Sequence, residues 1–445
     1  MKFLRNPIYF KVAFLVYMFM NTLALGYVGI NKFYLSIPMI LWGTIVIISE
    51  LWMKKRILRP HWMLIYGCIL CFSTIRNPYS NLTSYSMLWI QMIIFILIFY
   101  PNQKRTKKEI EMELQMIIPL VNVLVGLSGA ISIAMYWNHF TSVRNGCRIG
   151  MVGSRLFGIY FNCNPAAFLS CIIILMAVYA ISKKYKWRIF YLLNIVIQVC
   201  YVVLSQCRAS LLILIFIISS LLTYFIIRKK QQNIRKCWIT FFIILAGTIF
   251  ASILLEQGIV WLQKVAGIPI QHTNRFQMEK IIEAIQLLLS GGADNMEKAK
   301  EMLNKISSGR IDLIETSIQV WRKYSIFGVG VNNFQRIGSA ITDGVTIQSP
   351  QVVHTHNIFL EALVTTGLIG FVIWMLFVVQ AVNQMIQSIK KSIKQREILY
   401  LLAVLIVISE WIGGCFDYGV FYNYSLSATL SWIFLGYLYQ LREKK

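Results

Sequence analysis

The stretch VHTHNIFLEALVTTGLIGFVIW, residues 353–374, puts two of the chain's five histidines and an asparagine directly before a long apolar run. An imidazole titrates near neutral pH, so His356 could take a proton from a hydroxyl. His354 and Asn357 would support it, the asparagine by holding an acceptor or orienting the ring. The ordinary alternative is an interfacial histidine making a structural hydrogen bond. Zinc is a further use of His-x-His, but the adjacent segments offer no third ligand at the usual spacing, so no metal is expected.

Three arginines form a second set. Arg155 lies in GSRLFGIYFNCNP, Arg208 in LSQCRASLL between two apolar runs, and Arg310 in SSGRIDLIETSIQVW. A guanidinium stays protonated and grips phosphate through a planar fork. Each taken singly could be a snorkelling residue. Charge squeezed between two apolar runs is costly, however, and tends to mark function, which favours Arg208. Together the three could hold a diphosphate. Asp343 and Asp417 stand isolated, and no Asp-x-Asp pair is present to hold a divalent ion. With no Gly-x-Gly-x-x-Gly or Walker loop, no cofactor is expected.

The elements that must position these residues are membrane spans. The chain is 57% hydrophobic and 14% charged, with mean hydropathy +0.63. Soluble domains carry about a quarter charged residues. Apolar runs recur from end to end near the length that crosses a bilayer as a helix, and the alternation of a barrel is missing. The expected fold is all-α and polytopic, with twelve spans at about 10–30, 34–53, 61–75, 85–101, 114–137, 165–182, 189–206, 209–227, 238–255, 357–380, 398–412 and 424–440. The first is expected to be retained, since no small-residue cleavage site follows it. This divides the chain into a bundle of nine spans (1–255), a large loop (256–356) and three further spans (357–445).

Net charge is +25, but its placement argues against nucleic acid. With the N-terminus inside, the cytoplasmic segments are MKFLR, KKRILR, KRTKK, KKYKWR, RKKQQNIRK, KKSIKQR and REKK. Counted with Lys11, they hold 27 of the 43 Lys and Arg. This positive-inside pattern holds at every step and puts both termini in the cytoplasm, with His356 and the three arginines on the outer side of the cytoplasmic membrane. Within the large outer loop, NRFQMEKIIEAIQLLL, NMEKAKEMLNKI and GRIDLIETSIQVW have helical spacing, so a small helical cap is expected there. Cys68-x-x-Cys71 lies inside a span and reads as packing; Cys147 and Cys163 could bridge only in an oxidising space.

Four stretches in order, RLFGIYFNCNPAA (155–167), LSQCRASLL (204–212), GRIDLIETSIQVWRKYSIFGVGVNNF (309–334) and HTHNIFLEALVTTGLIG (354–370), resemble the O-antigen ligase and O-antigen polymerase superfamily. Cys207 stands where that family usually has Ser. The resemblance implies a membrane glycosyltransferase that moves a glycan from undecaprenyl diphosphate to a hydroxyl outside the membrane, without metal. It also implies His356 as base, with Arg155, Arg208 and Arg310 on the diphosphate. Polymerisation of lipid-linked repeat units into a capsule or other surface polysaccharide is the first expectation, working beside a flippase and a chain-length regulator. Ligation to lipid A, protein or a wall polymer is the second. A lipid-linked sugar flippase is a third reading, disfavoured because the charges gather at the outer boundary.

Overall fold

The computed structural model describes residues 4–53, 61–99, 105–230, 239–240, 242–248, 278–307, 309–342, 354–417 and 425–441. The ninth expected span and residues 256–277 of the large loop lie largely or wholly outside these, as does Asp343. Among the described residues, eight helices are long and apolar enough to cross a membrane, and Trp62–Arg76 is a shorter apolar one. The chain is an all-α, multi-pass membrane protein, with one small sheet.

In chain order the bundle helices are α1 (Pro7–Thr22), α2 (Lys32–Ile48), α3 (Trp62–Arg76), α4 (Leu82–Ile93), α5 (Lys107–Trp137), α6 (Cys163–Ser182), α7 (Arg188–Ser205) and α8 (Arg208–Lys230). The large loop gives α9 (Met278–Ser290), α10 (Ala293–Ile306), α11 (Arg310–Lys323) and α12 (Phe334–Ile341). Then come α13 (Ile358–Gln395), α14 (Ile398–Phe416) and α15 (Leu426–Gln440). Polar caps mark where several of these begin. Asn6 accepts from the Ile8 N–H and Asn31 from Phe33, while Asn81/Ser84 and Thr106/Glu109 form reciprocal capping boxes. Each satisfies a helix-end N–H that has no partner within its own helix.

Inside the bundle, close approach is bought with small residues. A Cβ on Gly126 or Gly129 of α5 would stand 3.0 Å or less from Asn194, Ile197 or Gln198 of α7. The room so made holds a buried polar ladder. Asn194 donates to Asn122 (2.8 Å), Gln198 to Asn194 (2.9 Å), and Ser170 of α6 to Gln198 (2.8 Å). Such bonds tie helices together where hydrophobicity cannot distinguish protein from lipid, at roughly 0.6 kcal/mol each.

The two ends of the bundle differ. At one, basic turns meet acids: Lys11 Nζ lies 2.6 Å and Arg105 Nη1 2.5 Å from Glu113, and the Tyr437 hydroxyl donates to the same carboxylate. Lys183 pairs with Glu111, and Lys107 with Glu397. The other end carries the loop helices and an antiparallel sheet of β1 (Thr141–Arg144), β2 (Cys147–Val152) and β3 (Arg155–Gly158), in that order. Asn145 and Gly146, both at positive φ, make the two-residue turn between β1 and β2. The sheet is moored to the end of α1, where Ala24 N–H donates to Ile159. Among the described residues every cysteine is a free thiol, Cys147 and Cys163 included.

One feature breaks the helical expectation. The run 358–395 is interrupted at Gly367, whose φ is +65° and ψ −167°. The segment 325–331, SIFGVGV, lies against the break. Val329 and Gly330 N–H groups donate to the carbonyls of Val364 and Thr365 (both 2.9 Å), and Leu368 N–H donates back to Ser325 (2.8 Å). On its other side this segment is held by α3: Asn77 donates to the Val329 carbonyl, and the Thr74 hydroxyl accepts from Val331 N–H. A break in a spanning helix frees backbone groups that protein must satisfy, and this segment supplies the partners.

Candidate active site

His356 sits at the turn into α13 in a left-handed conformation, φ +53°. Its Nδ1 lies 3.2 Å from Asp417 Oδ1. The imidazole is partly exposed and the carboxylate buried, with side-chain exposures of 27% and 2%. Asp417 is therefore not the isolated acid that its sequence position suggests. It caps the end of α14, brought opposite His356 by the packing of α13 on α14. A carboxylate beside Nδ1 favours the tautomer with hydrogen there, which leaves the lone pair on Nε2.

His354 has a different partner. Its Nδ1 lies 3.1 Å from Glu361 Oε1, and both residues are buried. Glu361 Oε2 accepts from the Thr355 N–H and lies 3.0 Å from the Thr355 hydroxyl. The two histidines are thus turned to different carboxylates and do not converge as a ligand pair. Asn357 is the N-cap of α13, its side-chain oxygen accepting from Phe359 and Leu360 N–H, while its amide donates to the Cys415 carbonyl. It fixes the helix start against α14.

Arg310 begins α11 behind Gly309, which is at φ +82°. Its Nη2 donates to the Phe416 carbonyl at 2.7 Å, next to Asp417, and its guanidinium stacks over the Phe416 ring. Burial lowers the Arg310 pKa; the Asp417 charge opposes that, and the charge of Arg208 adds to it. Arg310 therefore lies within electrostatic reach of both Asp417 and Arg208, and Asp417 touches His356. Arg208 is placed by the tight turn between α7 and α8, where Gln206 takes φ +51°.

Arg155 is used differently. Its Nε donates to the Ser205 carbonyl (3.0 Å) and Nη2 to Asn164 (2.6 Å), bracing the turn that presents Arg208. Part of its fork is committed to protein. The structure so gathers His356, Arg310 and Arg208 at the sheet-and-loop end of the bundle, with Arg155 behind them. The residues that sequence reasoning passed over are Asp417 and Glu361. The first carried a faint signal, an acid at the far end of an apolar run in a chain poor in acids.

Residues 193–375 match the O-antigen ligase family model. The matched segment takes in Arg208, Arg310, His354, His356 and Asn357, and three of the four resembling stretches. It leaves Arg155 and Asp417 outside. A search of curated proteins returns no match. The likeness is to O-antigen ligase and polymerase type proteins in general.

Proposed function

We propose that the chain is a glycosyltransferase of the outer face of the cytoplasmic membrane, joining a glycan on undecaprenyl diphosphate to a sugar hydroxyl. The observation that carries this is the meeting of the His356–Asp417 pair with Arg310 and Arg208. The acceptor oxygen attacks the anomeric carbon as His356 Nε2 takes its proton. The bond from that carbon to the diphosphate oxygen breaks with its electron pair, and the lipid diphosphate leaves. Arg310 and Arg208 meet the charge that develops on it, often the largest contribution to such catalysis. Asp417 holds the tautomer and pairs with the imidazolium formed. Arg155 keeps the Arg208 turn in place and can add a contact to the diphosphate. Direct displacement inverts the anomeric centre.

The acceptor in this reading is a second lipid-linked oligosaccharide, so that a long surface polysaccharide grows. Ligation to a separate anchor is the alternative reading; it uses the same residues, and the family match fits both. The test is transfer by purified protein supplied with lipid-diphosphate oligosaccharide in detergent. The reading requires new glycosidic bonds from wild type, and separate His356→Ala and Arg310→Ala variants each slower by about 10²–10⁴. Retained synthesis in both would remove it. Products lengthened in steps with no added anchor mean polymerase; a requirement for an anchor acceptor means ligase.

A further inference from the structure

The tip of the small sheet docks on the turn between α7 and α8. The register pairs Val152 with Arg155, so Gly153 and Ser154 make up the whole β2–β3 loop. Gly153 takes φ +63°, the first position of a tight hairpin turn that glycine suits. Ser154 is buried at this tip, and two bonds join it to Gln206. Its hydroxyl donates to Gln206 Oε1 (3.2 Å), and Gln206 Nε2 donates to the Ser154 carbonyl (3.0 Å). A flipped amide would set Oε1 against that carbonyl oxygen, so the pair has one working orientation. Beside it, Arg155 Nε donates to the Ser205 carbonyl, and the Tyr201 hydroxyl of α7 donates to the Phe157 carbonyl of β3 (3.2 Å).

What this contact holds is a strained and charged turn. Only Gln206 and Cys207 separate α7 from α8, and Gln206 is at φ +51°, a conformation that disfavours a side chain. Arg208 follows as the first residue of α8, and it is exposed. A cation is disfavoured at a helix N-terminus, and the charge of Arg208 also reaches that of Arg310. Neither feature serves the fold, and the repulsion acts to spread the two arginines apart. A diphosphate between them needs the opposite. We infer that Gln206 is a positioning residue, clamped by Ser154 so that the α7–α8 turn delivers Arg208 to the diphosphate of the lipid-linked donor. The inference rests on the glycosyl transfer proposed above. It gives the sheet a task, since the hairpin tip becomes the arm that carries the arginine turn. Gln206 acts through Arg208 and does not itself meet the substrate.

The experiment uses the full chain in detergent and two readouts, single-turnover transfer at saturating donor and the affinity for undecaprenyl diphosphate. Gln206→Ala should slow transfer by about ten- to a hundredfold, as a misplaced charge does. It should weaken undecaprenyl diphosphate, the fully charged leaving group, by a comparable factor. Gln206→Gly removes the same amide but accepts the left-handed turn, so it should melt no lower than wild type and still lose the same rate. A residue that only shaped the turn would be rescued by glycine. In an Arg208→Ala background, Gln206→Ala should add no further loss, because the two act as a unit. Gln206→Ala at the wild-type rate, recovery with glycine, a full further loss in the Arg208→Ala background, or Arg208→Ala equal to wild type in both readouts would each overturn the inference. Wild type that binds undecaprenyl diphosphate but transfers nothing would sink the glycosyltransferase reading instead, and the clamp is then decided by the same comparisons in binding. Wild type that does neither removes both.

Discussion

His356 holds a left-handed backbone conformation that costs a residue with a side chain about 1–2 kcal/mol. The cost is met by what flanks it. Glu361 binds Thr355 N–H and His354 on one side, and Asn357 caps α13 and grips α14 on the other. Glu361 thus acts on the imidazole through the backbone, as a positioning residue. Glu361→Gln keeps the shape but puts an amide where two acceptor oxygens are needed. It is expected to lower kcat by about tenfold or more, as an ångström of misplacement does, with KM for the donor little changed. Steady-state transfer kinetics check this; an unchanged kcat would remove Glu361 from the account. At this scale the sequence showed the residue types well. His356, Arg208 and Arg310 were legible because a polar residue at a membrane boundary is conspicuous. Asp417 was not, because its meaning depends on a partner 61 positions away. Asn357 is also a helix cap, and an Asn just before an apolar run is the ordinary sign of one.

Among elements, the break in α13 has the clearest physical cause. A Cβ on Gly367 would lie 2.3 Å from the Ile326 carbonyl carbon and oxygen, and the positive φ disfavours any side chain there. Gly367→Ala should therefore cost more than the roughly 1–3 kcal/mol of backbone strain alone and displace the segment 325–331. Thermal unfolding in detergent measures the loss; a variant as stable as wild type would contradict the close docking. The run LVTTGLIGFVIW reads as continuous helix because its apolar composition fits one; only the docking of a distant loop breaks it. The sheet is the opposite case. Asn145-Gly146 between alternating residues is a readable hairpin signal. At the basic end, burial pushes the Glu397 carboxyl upward, but its bond to Lys107 and the charge of Lys183 outweigh that and hold it below the ordinary value. A depressed carboxyl stabilises the fold above the unfolded value of about 4.3 and loses that stability as pH falls from there through its lowered folded value. Glu397→Gln should flatten the fall in melting temperature on acidification across that range. An unaltered profile would mean that the pair contributes nothing.

For the whole molecule, the positive-inside pattern and the contacts agree on two chemically distinct ends. Lys and Arg clusters pair with Glu111, Glu113 and Glu397 at one, and the sheet, loop helices, His356 and its arginines occupy the other. Spans were legible because a bilayer imposes a length on them. How helices pack was not, because lipid and protein are equally apolar and the choice falls to glycine contacts and the Asn122–Asn194–Gln198 ladder. The central claim concerns one pair within this frame: Asp417 acts through His356. The most direct measurement is a double-mutant cycle on single-turnover glycosyl transfer with purified His356→Ala, Asp417→Asn and the combined variant, at saturating donor. Residues that act as a unit are strongly non-additive. The account predicts large losses from each single change and a combined variant no slower than His356→Ala alone. A further loss in the combined variant, matching that of Asp417→Asn in the wild-type background, would contradict it.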